Sequence, residues 1–479
     1  MIVDGIEAFR TTGFQPQVVV IGAGPAGITL ARRLASLNVP CALLDAGGEE
    51  YSQDTQDVYQ GRTIGDPYFD LDAARLRYLG GTSGHWAGWC RFLDAHDFEK
   101  RDWIPNSGWP IARDAIEPFF EAARDVLGLR KFEPDKSISN DINWIDLIRS
   151  EPVRFGEKYR DELAKSDLIC VVLNTYATDL VADDNQVTAA NVVSNRKPSG
   201  RISAPYFVAA TGGIENSRLL LWSNEKSGDP VVPNATSLGR YWMEHPEFTV
   251  GDALILRPEA YPHEIDGVAF FAPTQHAMKK NEIMNFHAVI RPLEYSSTKQ
   301  MVSDLMCAMP DTSEWLVGLT GKSLNCYGNR VSMAWEQSPE FDNRVALSAI
   351  DKDFAGVPRV ELHWRKGNLD RKTMSEGARL FGTTLALKDI GRMRLDEWVR
   401  DVNDYPEDGE IGGYHHMGGT RMSSDPNTGV VDANCRVHGM GNLYVAGSSI
   451  FTTSGYANPT ASIVAFSERL GVHLAEQIN

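Results

Sequence analysis

The start of the chain alternates between two patterns of apolar residues, unbroken runs and a helical spacing. Val18–Ile21 and Cys41–Leu44 are unbroken apolar runs, which is typical of strands buried on both faces. Between these runs, apolar residues recur at the spacing of one helical face, at Ile28, Ala31, Leu34 and Ala35. The pattern predicts a strand, a helix and a second strand.

The same two periods return later in the chain. Residues 165–210 hold several strand-like runs separated by turn-forming residues, which predicts a β-rich segment. Gly212 and Gly213 then open a predicted helix. Near the C-terminus, residues 442–447 indicate a short strand that ends in glycine, and a long helix is predicted directly after Asn458.

Length and composition narrow the class of protein. A chain of 479 residues is too long for one hydrophobic core, so two or three domains or one large composite unit are expected. The net charge of −17 argues against a nucleic-acid partner or an anionic membrane surface. No run of apolar residues is long enough to predict a membrane span. The N-terminus lacks the features of a signal peptide, which predicts a cytoplasmic location.

The cysteines carry little chemistry of their own. All six are scattered without a CxxC pair, so they form neither a zinc frame nor a dense disulfide scaffold. Reduced, mostly buried thiols are therefore expected at Cys41, Cys90, Cys170, Cys307, Cys326 and Cys435.

A glycine motif lies between the first predicted strand and helix. Gly22, Gly24 and Gly27 spell GxGxxG, in which the first glycine allows a tight turn and the second lets the backbone approach a pyrophosphate. The third lets the helix pack against the strand, and the helix N-terminus attracts phosphate. Asp45 ends the second strand, where a carboxylate can accept ribose hydroxyl groups. The motif predicts dinucleotide binding without choosing between NAD and FAD.

Further stretches resemble the glucose–methanol–choline (GMC) oxidoreductases, which hold FAD. The similar segments are "YLGGTSGHWAGWCRF" (78–92), "FVAATGGIENSRLLLWS" (207–223), residues 336–364 and residues 415–477, which begin "HHMGGTRM". Among the branches of the family, the chain looks most like pyranose oxidases and related bacterial sugar dehydrogenases. The resemblance implies an α/β fold, with a Rossmann-like FAD-binding domain and a second, sheet-based (α+β) substrate-binding domain.

The resemblance also implies a division of the chain. The FAD-binding domain would comprise residues 1–100, 161–230 and 401–479, with the catalytic residues in the last part. Residues 101–160 would connect the domains and form part of a cap, and residues 231–400 would form the substrate-binding domain. In that last region, aromatic residues could stack on sugar faces or simply form core: Trp242, Phe270, Phe271, Trp335 and Trp364.

Site residues follow from the same motifs, and no metal is expected. The implied cofactor-binding residues are Gly22, Gly24, Pro25, Ala26, Gly27, Asp45, Ala46, Gly80, Gly81, Thr82, Ser83, His85, Trp86, Ala87, Ala177, Thr211, Gly212, Gly447, Ser448, Asn458 and Thr460. His85 matches the position at which some members carry the flavin covalently through its 8α-methyl group, and a hydrogen bond to the ring system is the alternative. Pyranose oxidases have Thr where this chain has Ala87. The sequence therefore does not decide whether the reduced flavin reacts with oxygen, as in an oxidase, or with another acceptor, as in a dehydrogenase.

The histidine pair at 415 and 416 lies between glycine pairs. If the two histidines bound a metal, further ligands at a suitable spacing would be expected, and the sequence does not show them. The other alternative to a catalytic role is that the histidines only pack in the core. In the resembled family the catalytic His lies three residues before the glycine of a Gly-Thr pair, which implies His416 as the base. The family implies Asn458 as the catalytic partner of His416. His415 is expected to be a packing residue or to support the site without contacting the substrate. A neutral imidazole can accept a hydroxyl proton, and an amide can donate to the same oxygen.

These features predict an FAD-dependent enzyme that oxidises a CH–OH group of a sugar, glycoside or sugar-like polyol to a ketone. Hydride would pass to flavin N5 and the hydroxyl proton to His416. The electron acceptor would be oxygen or another molecule. The alternatives are oxidation of a choline-like or aliphatic primary alcohol and, outside redox chemistry, an FAD-containing lyase such as a hydroxynitrile lyase.

Overall fold

The computed structural model describes residues 1–151, 153–264, 266–293, 328–400, 405–406 and 409–478. Part of the predicted substrate-binding domain, residues 294–327 with Cys307 and Cys326, lies outside the described residues. The four other cysteines are buried free thiols, as expected.

Strands occupy much of the described chain. In chain order they are β1 Ile2–Asp4, β2 Val18–Ile21, β3 Cys41–Leu44, β4 Gly61–Gly65, β5 Trp89–Cys90, β6 Lys136–Ser137, β7 Ile142–Ile145, β8 Ile148–Arg149, β9 Ile169–Leu173, β10 Thr175–Asp183 and β11 Gln186–Ser194. They continue with β12 Lys197–Ile202, β13 Tyr206–Ala209, β14 Glu247–Ile255, β15 Ala269–Pro273, β16 Phe286–Pro292, β17 Asn329–Trp335, β18 Arg344–Lys352, β19 Pro358–Trp364, β20 Gly391–Leu395 and β21 Leu443–Val445.

Helices lie between and around these strands. They are α1 Gly5–Thr12, α2 Pro25–Ser36, α3 Gln53–Gln56, α4 Phe120–Leu127, α5 Phe155–Lys165, α6 Glu215–Lys226, α7 Gln275–Asn281, α8 Asn368–Leu387, α9 Glu397–Arg400 and α10 Thr460–Ile478. None of the helices in the described ranges is long and apolar enough to cross a membrane.

The first sheet is parallel throughout and confirms the α/β prediction. Its six strands have the order β1-β9-β3-β2-β13-β21, with Val18 opposite both Cys41 and Tyr206. Strands β2 and β3 are buried along their whole length because helices cover the sheet, and α2 packs against α10. The strand and helix predicted from the opening hydrophobic pattern are therefore both present.

One face of the second sheet packs against a hydrophobic core, and the other face lines a cavity. Its seven strands, in the order β20-β14-β17-β16-β15-β7-β6, are antiparallel. Because side chains alternate along a strand, Phe271 packs against Phe381 of α8 while its neighbour Phe270 lines the cavity. His287 on β16 lines the cavity as well.

Of the five aromatic residues that were expected either to stack on a sugar or to form core, most lie in the core. Trp242, Phe271, Trp335 and Trp364 are almost fully buried and do not line the cavity, because each packs on other aromatic side chains. Phe270 alone of the five reaches the cavity. Smaller sheets complete the fold, in the orders β10-β11-β12, β18-β19-β4 and β5-β8.

The two large sheets divide the chain unevenly. Strands of the parallel sheet come from residues 2–4, 18–44, 169–209 and 443–445, whereas strands of the antiparallel sheet begin at Lys136 and end at Leu395. Residues 136–145 therefore join the sheet that covers the cavity. The exact domain boundaries stay a prediction.

Candidate active site

A cavity of about 570 Å³ lies where the two large sheets meet. One wall is formed at the carboxyl ends of the parallel strands, by Ile21 after β2, Leu44 after β3 and Ala210 after β13. Phe270 and His287 of the antiparallel sheet form the opposite wall. Ligands of open α/β sheets bind at the carboxyl ends of the strands, so this cavity is the expected binding site.

The three glycines of the GxGxxG motif have different surroundings. Gly22 has φ +109°, and a Cβ there would meet Ala210 O at 2.5 Å. A Cβ at Gly27 would meet Gly22 O at 1.9 Å, so this glycine permits close packing of α2. A Cβ at Gly24 would meet nothing within 4 Å, because Gly24 faces the cavity. The N-terminus of α2 has no side-chain cap, so its N–H groups are free for a phosphate.

Asp45 is held rigidly at the end of β3. Its two carboxylate oxygens accept the N–H groups of Ala23 at 3.1 Å and Gly47 at 2.8 Å. Burial raises the pKa of the Asp45 carboxyl to about 6, against the lowering effect of these hydrogen bonds and of Arg77. A carboxylate oxygen has two acceptor positions, so Asp45 can still accept a hydroxyl group from the cavity.

Most of the other predicted cofactor residues share this cavity. The lining includes Gly22, Gly24, Pro25, Ala26, Asp45, Ala46, Gly81, Thr82, Ser83, His85, Trp86, Ala87, Ala177, Thr211, Gly212, Gly447, Ser448, Asn458 and Thr460. The structure does not bring Gly27 or Gly80 to the cavity. Gly80 has φ +94° and packs against the Gly156 backbone, where a Cβ would meet the Gly156 nitrogen at 2.4 Å, so its role is in packing.

The loop that carries His85 is anchored by its neighbours. Trp86 donates its indole N–H to Val153 O at 3.1 Å, and Arg154 donates to the carbonyl groups of Ser83 and Trp86. The His85 side chain itself is exposed on the cavity lining and hydrogen-bonds to no residue that the structure describes. Partial burial and Arg154 lower the pKa of the His85 imidazole, which favours a neutral ring.

A buried charge network beside the cavity was not predicted from the sequence. Arg75 donates to Glu215 at 2.7 Å, and Arg218 bridges Glu215 at 3.2 Å and Asp353 at 2.8 Å. The arginines hold the pKa of the Glu215 carboxyl below its usual value despite burial. Glu215 and Arg218 are on α6, directly after the Gly212-Gly213 turn. A pair of opposite charges three residues apart, Glu215 and Arg218, in the first turn of a predicted helix is the signal that could have revealed this network.

His416 lines the cavity next to His415, and its ring also contacts a polar shell. Its Nε2 lies 2.9 Å from the Tyr68 hydroxyl, which donates its own proton to Glu244 at 2.5 Å. When Tyr68 donates to Glu244, its oxygen accepts from Nε2 of His416. Burial raises the pKa of the Glu244 carboxyl to about 7, and a protonated Glu244 would let the Tyr68 hydroxyl donate to His416 instead. Burial and Arg75 lower the pKa of the His416 imidazole to about 3.

His415 faces a different set of partners. Its Nδ1 lies 3.0 Å from Nδ1 of His245, and its backbone N–H donates to Glu244 at 2.6 Å. The Nε2 of His415 makes no hydrogen bond to a residue in the described part of the chain, and the ring is partly exposed at the cavity. Burial, together with the nearby His245 and His287, lowers the pKa of His415 well below its usual value.

Two further residues complete this end of the cavity. Asn458 precedes α10, and its side chain lines the cavity without a hydrogen bond to any described residue. His287 Nδ1 lies 3.2 Å from Tyr456 O, and burial lowers the pKa of its imidazole to about 4. The cavity therefore joins a glycine-lined phosphate cradle to neutral imidazoles and a free amide.

Several known proteins are similar to this chain in sequence. Residues 339–467 match the sequence model of the family described as GMC oxidoreductase. The fructose dehydrogenase large subunit of Gluconobacter japonicus is 27% identical over 298 residues, which cover 60% of this chain and 50% of that protein. The 2-methyl-1,2-propanediol dehydrogenase of Mycolicibacterium austroafricanum is 23% identical over an alignment that covers 98% of this chain and 97% of that protein.

A third relative, the C-glycoside 3-oxidase of Microbacterium trichothecenolyticum, is 25% identical over 308 residues, which cover 63% of this chain and 53% of that protein. The match thus spans about half the length of two of these three relatives. Among solved structures, pyridoxine 4-oxidase from Mesorbium loti has a similar fold, with a TM-score of 0.56 and 18% identity over 96% of this chain and 99% of that one. Residues 339–467 are therefore similar to the GMC oxidoreductases, and the chain as a whole shares its fold with the solved pyridoxine 4-oxidase structure.

Proposed function

We propose that this protein uses bound FAD to oxidise a CH–OH group of a sugar, glycoside or sugar-like polyol to a ketone. The observation that carries the proposal is the single cavity that joins the phosphate cradle at Gly24 to the imidazole of His415 and the amide of Asn458. The names of two relatives, a fructose dehydrogenase and a C-glycoside 3-oxidase, support a sugar or glycoside as the substrate.

The residues present fit FAD. Gly24, Gly212 and Gly447 border the cavity, and a Cβ at Gly24 or Gly212 would meet nothing within 4 Å, which leaves room for a cofactor against the backbone. The N–H groups at the start of α2 would hold the pyrophosphate and Asp45 the ribose. When bound, FAD supplies an acceptor for a hydride at its N5 atom.

We assign the proton acceptor to His415 rather than to His416, which the Gly-Thr register predicts. The Nε2 of His416 already makes a hydrogen bond with the Tyr68 hydroxyl at 2.9 Å, which a substrate hydroxyl would have to replace. The Nε2 of His415 has no protein partner among the described residues and borders the cavity. A neutral imidazole at that position can take the hydroxyl proton of an alcohol as its C–H bond breaks.

Asn458 would hold the same alcohol. Its side-chain amide is unpaired within the described structure, and the residue is fixed at the entrance of α10. An amide N–H that donates to the reacting oxygen stabilises the negative charge that develops when the proton leaves. His415 and Asn458 together would orient the alcohol and exclude competing water.

The polar wall of the cavity favours a sugar over a choline-like cation. Glu247 lines the cavity, but it lies 3.5 Å from Arg291 and accepts a hydrogen bond from Ser332 at 3.1 Å. A carboxylate that is paired with an arginine offers little attraction to a quaternary ammonium group. Neutral hydroxyl groups can instead bond both the arginine and the carboxylate.

Anaerobic spectroscopy of the purified holoprotein tests the proposal. Free sugars, glycosides, polyols, choline and simple alcohols are added in turn, and the oxidised-flavin absorbance is followed. We expect a sugar, glycoside or polyol to bleach the band, while choline leaves it unchanged. Air is then admitted, and rapid return of the band would identify an oxidase, whereas slow return would identify a dehydrogenase. If only a non-sugar alcohol bleaches the band, the proposed substrate class is wrong.

We also propose that His85 attaches the flavin through its 8α-methyl group. The exposed, neutral His85 side chain on the cavity lining and its anchored loop support this assignment. After acid precipitation, the flavin should stay with the protein pellet in the parent and move to the supernatant in His85→Ala. Release of the flavin from the parent protein would show that it is not covalently bound.

A further inference from the structure

One imidazole borders the cavity from the wall opposite the glycine cradle. His287 is on β16, between β15 and β17 of the antiparallel sheet, and it is paired with Ala334 of β17. Side chains alternate along a strand, so Phe286 and Ala288 pack in the core while His287 points to the cavity. The sheet therefore presents this ring to a ligand in the cavity.

A backbone carbonyl group fixes the hydrogen of this imidazole. Nδ1 of His287 lies 3.2 Å from the carbonyl oxygen of Tyr456. A carbonyl oxygen accepts hydrogen bonds and cannot donate one, so Nδ1 of His287 carries the hydrogen. Burial lowers the pKa of the imidazole to about 4, so the ring holds a single hydrogen near neutral pH. Nε2 of His287 consequently has a lone pair.

The Nε2 atom of His287 is open to the cavity. It makes no hydrogen bond to a residue that the structure describes, yet it keeps accessible surface, unlike the fully buried Nε2 of His245. A ligand that covered this nitrogen without donating a hydrogen bond would leave a buried acceptor unsatisfied, which lowers affinity. The wall therefore favours a ligand that carries a donor.

His287 lies at the same end of the cavity as Asn458. Tyr456 and Asn458 are two residues apart in the segment that enters α10, so their backbones lie within about 7 Å of each other. The Tyr456 carbonyl group therefore ties the His287 ring to the segment that places the Asn458 amide. His287 is also close enough to His415 to lower the pKa of that imidazole. A ligand held at Asn458 is within reach of His287.

Phe270 adds an apolar surface to the same wall. Its ring flanks that of His287, with centroids 5.9 Å apart and planes at 69°, and both residues line the cavity. An aromatic ring packs on C–H groups, whereas an unprotonated imidazole nitrogen accepts from a hydroxyl group. A sugar or polyol carries both kinds of group on neighbouring carbons. An aliphatic mono-alcohol has no second hydroxyl group to offer.

We infer that His287 is a substrate-binding residue that accepts a hydrogen bond from a second hydroxyl group, beside the one that is oxidised. The inference rests on the proposed oxidation of a sugar or polyol, and it holds whichever imidazole accepts the proton. Asn458 enters α10, which packs on the helix of the glycine cradle, whereas His287 comes from the opposite wall. The two side chains therefore contact different hydroxyl groups, and the substrate needs at least two.

Nitrogen NMR of holoprotein that contains isotope-labelled histidine tests the free acceptor without turnover. We expect His287 at neutral pH to have its hydrogen on Nδ1 and an unprotonated Nε2. The signals of this ring are identified by their loss in His287→Gln. A hydrogen on Nε2 with none on Nδ1 would overturn the inference.

A sugar and its monodeoxy derivatives test the hydrogen bond itself. With a sugar that bleaches the parent flavin anaerobically, His287→Leu should raise the concentration for half-maximal reduction about 10-fold, with little change in the limiting rate. His287→Gln keeps an acceptor near the position of Nε2 and should restore most of the affinity. One monodeoxy derivative should lose about 10-fold with the parent and nothing further with His287→Leu. His276→Leu, at an exposed histidine outside the cavity, is the control and should behave like the parent.

The possible outcomes separate the inference from the proposed function. If every monodeoxy derivative loses as much affinity with His287→Leu as with the parent, His287 only packs and the inference is wrong. If no sugar or polyol bleaches the parent flavin, the proposed function is wrong before any variant is compared, and the inference falls with it. If His287→Leu does not fold, His287→Phe removes the acceptor with a ring of similar shape.

Discussion

Replacing His415 by alanine should slow anaerobic flavin reduction by about 10²–10⁴-fold, the range expected when a general base is removed. His415 lines the cavity, and no described residue forms a hydrogen bond with its Nε2. The variant should keep its flavin, because His415 contributes no part of the glycine cradle. Stopped-flow absorbance at saturating substrate measures the rate, and the flavin-to-protein absorbance ratio measures cofactor content.

His416→Ala is the matched control for this experiment. It removes a hydrogen bond to Tyr68 in a buried shell, so a loss of stability is expected, together with a much smaller loss of rate. A net hydrogen bond of this kind contributes about 1 kcal/mol to the free energy of unfolding. If His416→Ala lost the rate and His415→Ala kept it, the register-based prediction would be right and the present assignment wrong.

Gly24→Val should weaken FAD binding by about 10²-fold while leaving the protein folded. Gly24 has an ordinary negative φ and its Cβ would meet nothing within 4 Å, so a valine fits the empty cavity. The added methyl groups would occupy the space through which a pyrophosphate approaches the start of α2. A steric cost of about 3 kcal/mol corresponds to a loss of affinity of about 10²-fold. Flavin content after purification and the circular dichroism melting curve are the two measurements.

Variants at two other glycines are controls for the Gly24→Val result. A Cβ at the exposed Gly228 also meets nothing within 4 Å, but this residue lies outside the cavity, so Gly228→Val should keep both fold and flavin. Gly27→Val should reduce stability, since its Cβ would overlap Gly22 O. Full flavin content in folded Gly24→Val would contradict the placement of the pyrophosphate.

The parallel sheet was predictable because its signals are local. The apolar runs at Val18–Ile21 and Cys41–Leu44, with a helical stripe between them, fix strand, helix and strand within thirty residues. The GxGxxG spacing then determines how closely α2 approaches the sheet, and the structure has these elements at the predicted positions.

The two histidines show why the site was harder to predict. They are adjacent in a segment without regular secondary structure, and both of them line the cavity. The partners of their rings are Tyr68 and His245, which lie 348 and 170 residues away. Counting positions from a motif carries no information about those partners. The same holds for the Arg75–Glu215 pair, which joins residues 140 positions apart.

The most direct test of the central claim is a single anaerobic turnover with product analysis. Holoprotein is mixed with the sugar or polyol that bleaches its flavin, and the loss of oxidised-flavin absorbance is compared with the amount of carbonyl product. The account predicts one ketone formed for each flavin reduced, and almost none within the same time in His415→Ala. Flavin that stays oxidised with every CH–OH compound, or that bleaches without a carbonyl product, would contradict it.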